Sequence, residues 1–241
     1  MSKVSFDNYG KLAKEGKDPT VIAGRYAIQA SAERSILPDV LAKLQVRPQD
    51  KLLDIGCNVG ALLIPLSYLV QGVTGIDHPS CLEKLRLRAQ GDNIQLLGGT
   101  FLDLAIKEQF DKILCYSVLH YLSDEEEVLC FIFKALKLLA PGGIALFGDI
   151  PNQSKKERFL SSESGKAFEQ QWKELIKKEA GNNHRQVELS PDPNLVRFHD
   201  EFLLQICRRC RADGFEAYIY PQPSHLPFGN TREDIVIIRP A

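Results

Sequence analysis

The sequence predicts an α/β fold in which helices cover both faces of a largely parallel sheet. Between residues 51 and 148, short apolar runs alternate with longer segments of helical periodicity. Two of these runs end in an acidic residue, and a small-residue loop follows the first of them. Such alternation is typical of parallel sheets, which bind ligands at the carboxyl ends of their strands. Of the 241 residues 44% are hydrophobic, enough to form the core of one large domain.

The elements follow from apolar spacing and from helix-ending residues. A helix is predicted over residues 31–44, and Pro48 ends it. Five strands are predicted at residues 51–55, 72–76, 94–97, 112–115 and 144–148. Helices are predicted at about 60–70, 79–89 and 124–139, with Ser123 as the N-cap of the last and Glu126 completing a capping box. Residues 141–143, Pro-Gly-Gly, are predicted as the turn before the fifth strand.

The chain reads as a single domain over residues 1–241 with two additions. Residues 1–50 are predicted as an N-terminal helical segment. The alternation stops at residues 151–197, a charged and polar stretch that we predict to be an inserted lid or substrate-binding segment. A helix at about 200–213 and two strands at about 217–220 and 234–239 are predicted to complete the fold.

Composition argues against several classes of protein. A net charge of −1 gives no global field for nucleic acid. Six cysteines without a secretory leader predict reduced thiols in a cytoplasmic protein. Cys207 and Cys210 lie in a helical pattern with no second pair at zinc spacing, so no metal site is predicted. The longest apolar stretch is too short to span a membrane. The oligomeric state is left open between a monomer and a homodimer.

The most informative segment is the loop after the first predicted strand. It begins at Asp54, and a second strand ends in Asp77; the loop residues are Gly56, Cys57, Asn58 and Gly60. Two strand-end acids beside a glycine loop suit a ligand that is cationic at one end and carries ribose hydroxyls at the other. S-adenosylmethionine is such a ligand. A dinucleotide site fits less well, because its glycine spacing is poor here and Asp54 would repel a pyrophosphate.

Five motifs in order make the segment from Leu52 to Phe147 resemble the class I S-adenosylmethionine-dependent methyltransferases. They are the loop at 54–60, Asp77, the segments 99–104 and 110–122, and the turn 139–143. The resemblance implies a Rossmann-like seven-stranded mixed sheet whose last strand is antiparallel and inserted beside the sixth. It also implies that Asp77 binds ribose, and that the remaining cofactor-side residues are His78, Thr100, Phe101 and Ser117. Thr100 stands where many members of that class have an Asp.

Methyl transfer to a hydroxyl requires an aligned acceptor and a base. The candidate catalytic residues are His120, after the fourth strand, His199, at the start of the helix after the lid, and Asp149, after the fifth strand. The predicted function is therefore S-adenosylmethionine-dependent methylation of a small molecule, with a hydroxyl oxygen of a sugar or natural-product intermediate as acceptor and without a metal. Two alternatives stay open: a non-catalytic S-adenosylmethionine-binding regulatory protein, and a nicotinamide-dependent oxidoreductase.

Overall fold

A seven-stranded mixed sheet forms the centre of the protein. The computed structural model describes residues 2–16, 19–23, 26–89, 91–182 and 189–241. The strand order is β3-β2-β1-β4-β5-β7-β6. Strands β1 to β5 run parallel to one another, while β7 lies antiparallel between β5 and β6. The bounds are β1 Lys51–Ile55, β2 Gly72–Asp77, β3 Ile94–Gly98, β4 Phe110–Tyr116, β5 Leu139–Pro151, β6 Glu216–Pro221 and β7 Arg232–Ile238. The predicted fold class is confirmed.

Helices cover both faces of this sheet. Their bounds are α1 Lys3–Glu15, α2 Pro19–Ile22, α3 Ala30–Glu33, α4 Ile36–Leu44, α5 Leu63–Ser67, α6 Pro79–Arg88, α7 Glu125–Lys137, α8 Gln153–Ser161, α9 Glu163–Asn182 and α10 Asp200–Ala212. Single 3₁₀ turns occur at Ala27–Gln29, Leu119–Tyr121 and Gly229–Thr231. Within the described residues, no helix is both long and apolar enough to cross a membrane.

The core consists of two apolar layers, one on each side of the sheet. Leu53 and Phe147 face α7 and α10, where they meet Phe131 and Phe202. Alternate residues of the same strands face α4, α5 and α6 on the other side. Burial on both faces explains why the strands read as continuous apolar runs in the sequence.

Two segments outside the alternating strands and helices of the sheet are themselves helical. Helix α1 packs against α6. After β5, the segment 151–197 contains α8 and α9, where the sequence predicts only a charged and polar stretch. The polar composition of α8 and α9 hides their helical periodicity, because few apolar residues mark a buried face.

Three local predictions are corrected by the structure. The N-cap of α7 is Asp124 rather than Ser123: its side chain accepts from the Glu127 N–H (2.8 Å), and the Glu127 carboxylate accepts from the Ser123 N–H (2.6 Å). This is the predicted capping box shifted by one residue. Helix α5 spans only Leu63–Ser67. Residues 141–143, predicted as a turn, belong to the long strand β5 and carry a left-handed glycine, Gly142 (φ 74°).

Candidate functional site

The loop after β1 has the backbone of a close-approach ligand site. Gly56 (φ 84°), Asn58 (φ 49°) and Gly60 (φ 87°) are all left-handed, a conformation that glycine and asparagine adopt most readily. A Cβ on Gly56 would lie 2.3 Å from Cγ2 of Val118, which follows β4. The glycine therefore lets the loop approach the end of β4, as a tight ligand-binding turn requires.

Asp54 is a buried carboxyl group at the end of β1. Its side chain is 3% exposed, and Oδ2 has no hydrogen-bond partner among the described residues. Burial, followed by the nearby charge of Asp77, raises the pKa of Asp54 to about 8. A buried carboxyl that lacks a partner is destabilising unless a ligand supplies one. The site is therefore electrostatically complementary to a cation.

Asp77 holds the glycine loop and the start of α6 together. Its Oδ2 accepts from the Asn58 N–H at 2.8 Å, and its Oδ1 accepts from the His78 N–H at 2.6 Å. Burial raises the pKa of Asp77, and these two N–H donors oppose the rise. Each carboxylate oxygen has a second lone-pair direction, which leaves room for a ligand hydroxyl.

His78 and Cys57 lie beside these acids but have structural contacts of their own. Nδ1 of His78 accepts from the Ser80 N–H at 3.1 Å and so caps α6. The His78 ring packs 4.8 Å from the Phe6 ring of α1. Cys57 is buried, and burial raises the pKa of its thiol well above the ordinary value, which keeps the thiol neutral.

Thr100 and Phe101 follow β3 at the same edge of the sheet. The Thr100 hydroxyl donates to the Asp103 carboxylate. The Phe101 ring is buried in the core, 4.8 Å from the Phe131 ring, with the Lys134 ammonium above it. Any contact of Phe101 with a ligand at this edge is therefore made by its backbone.

Two left-handed residues face each other: Ser117 directly follows β4, and Asp149, predicted to follow the fifth strand, lies inside the longer β5 at its register shift against β7. Ser117 (φ 61°) and Asp149 (φ 59°) are left-handed without being glycine, and the Ser117 hydroxyl donates to the Asp149 carboxylate. The Asp149 N–H donates to the buried Asp234 carboxylate at 2.8 Å, and its carbonyl accepts from Arg232 at 3.0 Å. Left-handed residues of this kind persist only where the surroundings hold them, and they cluster at functional sites.

The two candidate histidines occupy different environments. His120 lies in the 3₁₀ turn after β4, and its ring is 4.2 Å from the Tyr121 ring. His199 is the N-cap of α10: Nδ1 accepts from the Phe202 N–H, and Nε2 lies 3.4 Å from the Glu125 carboxylate of α7. These contacts give His199 a structural role, and His120 is the histidine at the carboxyl edge beside Ser117. His184 lies outside the described residues.

Sequence reasoning missed the contribution of the N-terminal segment. The Ile22 carbonyl accepts from the Asn58 side chain at 3.3 Å, so this segment lies on the glycine loop. Ile22 also packs with Ala13, Val59 and Cys81 in a small buried cluster. A contact between segments so far apart in sequence has no periodic signature.

Two solved methyltransferase structures share this architecture. Magnesium protoporphyrin IX methyltransferase from Synechocystis PCC 6803 with bound SAH has a TM-score of 0.61 at 16% identity, covering 98% of this chain and 95% of that one. N-methyltransferase NodS from Bradyrhizobium japonicum WM9 in complex with S-adenosyl-L-homocysteine gives 0.63 at 17% identity, covering 99% and 100%. Together, strand order and glycine loop define the class I methyltransferase fold, as the resemblance predicted.

Residues 30–159, more than half of the chain, match the family described as nodulation protein S (NodS), and the chain belongs to this family. Nodulation protein S of Rhizobium tropici is 30% identical over 146 residues, which cover 59% of this chain and 60% of that protein. The ubiquinone biosynthesis O-methyltransferase of Pseudomonas fluorescens (strain Pf0-1) is 32% identical over 114 residues, which cover 45% and 48%. The chain thus spans about half to three fifths of the length of these relatives.

Proposed function

We propose that this protein is an S-adenosylmethionine-dependent methyltransferase that acts on a small-molecule acceptor. The buried carboxyl of Asp54, whose Oδ2 has no partner in the described part of the chain, carries the proposal. Asp54 is suited to bind an ammonium group, and Asp77 on the adjacent strand is suited to accept from ribose hydroxyls. The relatives named above as methyltransferases support the same activity.

The proposed cofactor-binding site consists of the loop residues between the two acids, which are Gly56, Cys57, Asn58 and Gly60. Their left-handed backbone allows a ligand to approach the main chain closely. On the far side of Asp77, we assign the adenine to the region of His78, Thr100 and the backbone of Phe101. Ser117 borders the proposed cofactor-binding site at the end of β4. Metal ligands are not needed by this arrangement, and the described residues contain no cluster suited to a metal.

When bound, the cofactor supplies a methyl group on a positively charged sulfur, which an acceptor atom displaces in line. The protein must exclude water, align the acceptor with that methyl and handle the acceptor proton. We assign the acceptor to the edge formed by Ser117 and Asp149, with the lid segment 151–197 above it. This lid follows directly after β5 and contains α8 and α9.

We propose a hydroxyl oxygen as the acceptor atom, with His120 as the general base. A neutral imidazole is the ordinary base for a hydroxyl near neutral pH. We propose that Asp149 accepts a hydrogen bond from the acceptor or fixes the orientation of the acceptor. The relatives named above include both N- and O-methyltransferases, so the acceptor atom requires a direct test.

The test combines binding and turnover. S-adenosylhomocysteine should raise the melting temperature, because a ligand that binds only the folded state stabilises it by mass action. Methylthioadenosine, which keeps the ribose and lacks the ammonium group, should stabilise the protein less. Transfer of a labelled methyl group to a hydroxyl acceptor should follow. Stabilisation by NADH instead would favour an oxidoreductase, and S-adenosylhomocysteine binding without transfer to any acceptor would favour a regulatory binding protein.

A further inference from the structure

Three aromatic rings from three separate segments meet above the carboxyl edge of the sheet. Tyr26 belongs to the N-terminal segment, Trp172 to α9 and Phe228 to the connection between β6 and β7. The ring of Trp172 lies 5.5 Å from that of Tyr26 and 5.4 Å from that of Phe228, in edge-to-face contact with each. We refer to these three residues as the aromatic cluster. It therefore connects α9 with the N-terminal segment and with the connection between β6 and β7.

Arg232 connects the aromatic cluster to the proposed acceptor position. Its guanidinium lies 5.3 Å from the centroid of the Phe228 ring and donates to the Asp149 carbonyl at 3.0 Å. Asp149 in turn accepts from Ser117 at the end of β4. The aromatic cluster is therefore one side chain away from the left-handed pair Ser117 and Asp149.

A buried carboxamide oxygen belongs to the turn that follows Tyr26. Gln29 is 6% exposed, and its Oε1 has no hydrogen-bond partner within the described ranges. The Gln29 N–H donates to the Tyr26 carbonyl at 2.9 Å, and the turn Ala27–Gln29 packs against α9. A buried acceptor atom left without a donor is destabilising, so a ligand that donates an O–H at this position gains affinity.

The charged side chains nearby already have partners. Arg232 is engaged by Asp149 and by the face of Phe228. Lys155 donates to the Arg232 carbonyl at 2.7 Å, and Lys43 forms an ion pair with the buried Asp234 at 2.6 Å. An ionic acceptor would have to compete with these pairs, whereas a neutral acceptor would not.

We propose that the aromatic cluster and Gln29 bind the acceptor, and that this acceptor is a neutral aromatic ring bearing hydroxyl groups. The proposal rests on the methyltransferase function proposed above. An aromatic ring offers edges and faces that complement those of Tyr26, Trp172 and Phe228. A ring hydroxyl supplies the donor that Gln29 Oε1 lacks. A pyranose also has a flat face, but its several hydroxyls need more polar partners than Gln29 provides.

Trp172 provides the probe, because it is the only tryptophan in the chain. The three rings touch one another, so an entering ring must shift one of them. Trp172 is partly exposed on α9, which makes its ring the easiest to move. Catechol added to the protein saturated with S-adenosylhomocysteine should therefore change the tryptophan fluorescence saturably. Calorimetry on the same samples should give the same affinity and should require no turnover.

Variants distinguish recognition of the aromatic ring of catechol from recognition of its hydroxyl groups. Tyr26→Ala and Phe228→Ala should weaken catechol binding by about tenfold or more, because each removes one aromatic contact. Gln29→Leu should weaken catechol binding by about tenfold but leave 1,2-dimethoxybenzene unaffected, since only catechol donates hydrogen bonds. Tyr218→Ala, which removes an exposed tyrosine of β6, is the matched control and should bind catechol normally. Each variant should keep the wild-type affinity for S-adenosylhomocysteine, which verifies its fold.

Several outcomes would overturn the inference while leaving the methyltransferase proposal intact. They are an absence of catechol binding to protein that binds S-adenosylhomocysteine, tighter binding of glucosamine or phosphoethanolamine than of catechol, or equal effects of Tyr218→Ala and Tyr26→Ala. A protein that fails to bind S-adenosylhomocysteine at all would overturn both proposals together.

Discussion

The hydroxyl groups of Tyr9 and Tyr121 lie 2.7 Å apart, and this contact joins α1 to the turn that carries His120. The Tyr121 carbonyl also accepts from the Ser2 N–H at 2.8 Å. On its other side α1 packs on His78, because a Cβ on Gly10 would lie only 2.4 Å from the His78 ring. One helix therefore contacts both the proposed base region and the cofactor side of the site.

Removing the Tyr9 hydroxyl tests whether this contact positions His120. Tyr9→Phe keeps the ring and loses one hydrogen bond, which is worth roughly 0.5–1.5 kcal/mol. We expect the turnover rate to fall by a few-fold while the affinity for S-adenosylhomocysteine stays constant. Steady-state kinetics and calorimetry measure the two quantities, and Tyr218→Phe on the exposed side of β6 serves as control. An equal loss of both quantities would mean that Tyr9 only holds α1 in place.

His120 itself is tested by its effect on the rate and on the pH profile. If it is the general base, His120→Ala should lower the turnover rate by roughly 10²–10⁴-fold with little change in cofactor affinity. The pH–rate profile should lose its limb near the ordinary histidine pKa of about 6.5. A drop of only a few-fold with the limb retained would assign His120 to packing and move attention to Asp149.

Asp192, near the end of the segment 151–197, holds the N-terminus of α1. Its Oδ2 accepts from the Ser2 hydroxyl and, at 2.7 Å, from the Ser5 hydroxyl, and these bonds lower the pKa of Asp192. Asn8 and Ser190 add a reciprocal pair at 2.8 and 3.0 Å. Helix α1 covers His78, and the N-terminal segment lies on the glycine loop. We therefore expect these hydrogen bonds to control the rate at which the cofactor is released.

Asp192→Ala should therefore speed release of S-adenosylhomocysteine by roughly tenfold, because it removes two hydrogen bonds to a charged group. Displacement kinetics on the stopped-flow timescale measure the release rate. Asp213→Asn, an exposed acid after α10, is the matched control. An unchanged release rate in Asp192→Ala, with the helix loosened by hydrogen exchange, would show that the cofactor leaves by another route.

The cofactor half of the site was predictable because its signals are local. Asp54, Gly56, Gly60 and Asp77 are each read from a strand end or a turn, and the structure brings them together through adjacent strands β1 and β2. The left-handed backbone of Asn58 also follows from a known residue preference. Local patterns therefore predict the loop at which we propose that the ligand binds.

The proposed acceptor half was not predictable because the contacts in this region join residues that are distant in sequence. Asn8 pairs with Ser190 across 182 positions, and neither residue lies in a recognisable motif. Trp172 lies in a polar helix, where its spacing reveals no partner. The left-handed Asp149 lies at a register shift of β5 against β7, and its N–H donates to Asp234, 85 residues away. Tertiary packing decides these features.

Asp77 should contribute directly to cofactor affinity. Asp77→Ala should weaken S-adenosylhomocysteine binding by roughly 1.5–3 kcal/mol, the range for hydrogen bonds to a charged group. Because Asp77 also accepts from the N–H groups of Asn58 and His78, Asp77→Asn is the informative companion, since it keeps an oxygen for one of them. Affinity that is unchanged in both variants, measured by calorimetry, would remove Asp77 from the ligand site.

Asp54 should make cofactor binding depend on pH in a predictable direction. Its pKa of about 8 in the ligand-free protein means that the carboxyl is largely protonated at neutral pH. An ammonium group favours the carboxylate, so binding must release this proton. The affinity of wild-type protein for S-adenosylhomocysteine should therefore rise with pH below about 8, by up to about tenfold per unit. Below that pH the ligand's own amino group stays protonated.

The same residue should set the pH dependence of stability without ligand. The folded-state pKa of Asp54 lies above its unfolded value of 3.8, so the native state holds a proton that the unfolded chain has released. Its contribution to stability is full below about pH 4 and is lost as pH rises toward 8.

The variant Asp54→Asn lacks this loss of stability, and by about pH 8 it should be the more stable protein by roughly 1–3 kcal/mol in urea unfolding. It should also bind S-adenosylhomocysteine more weakly and without a pH slope. Asp92→Asn, an exposed acid, should behave as wild type in both experiments. A wild-type affinity that is flat between about pH 5.5 and 7.5 would show that Asp54 is already ionised and that its partner lies within the protein.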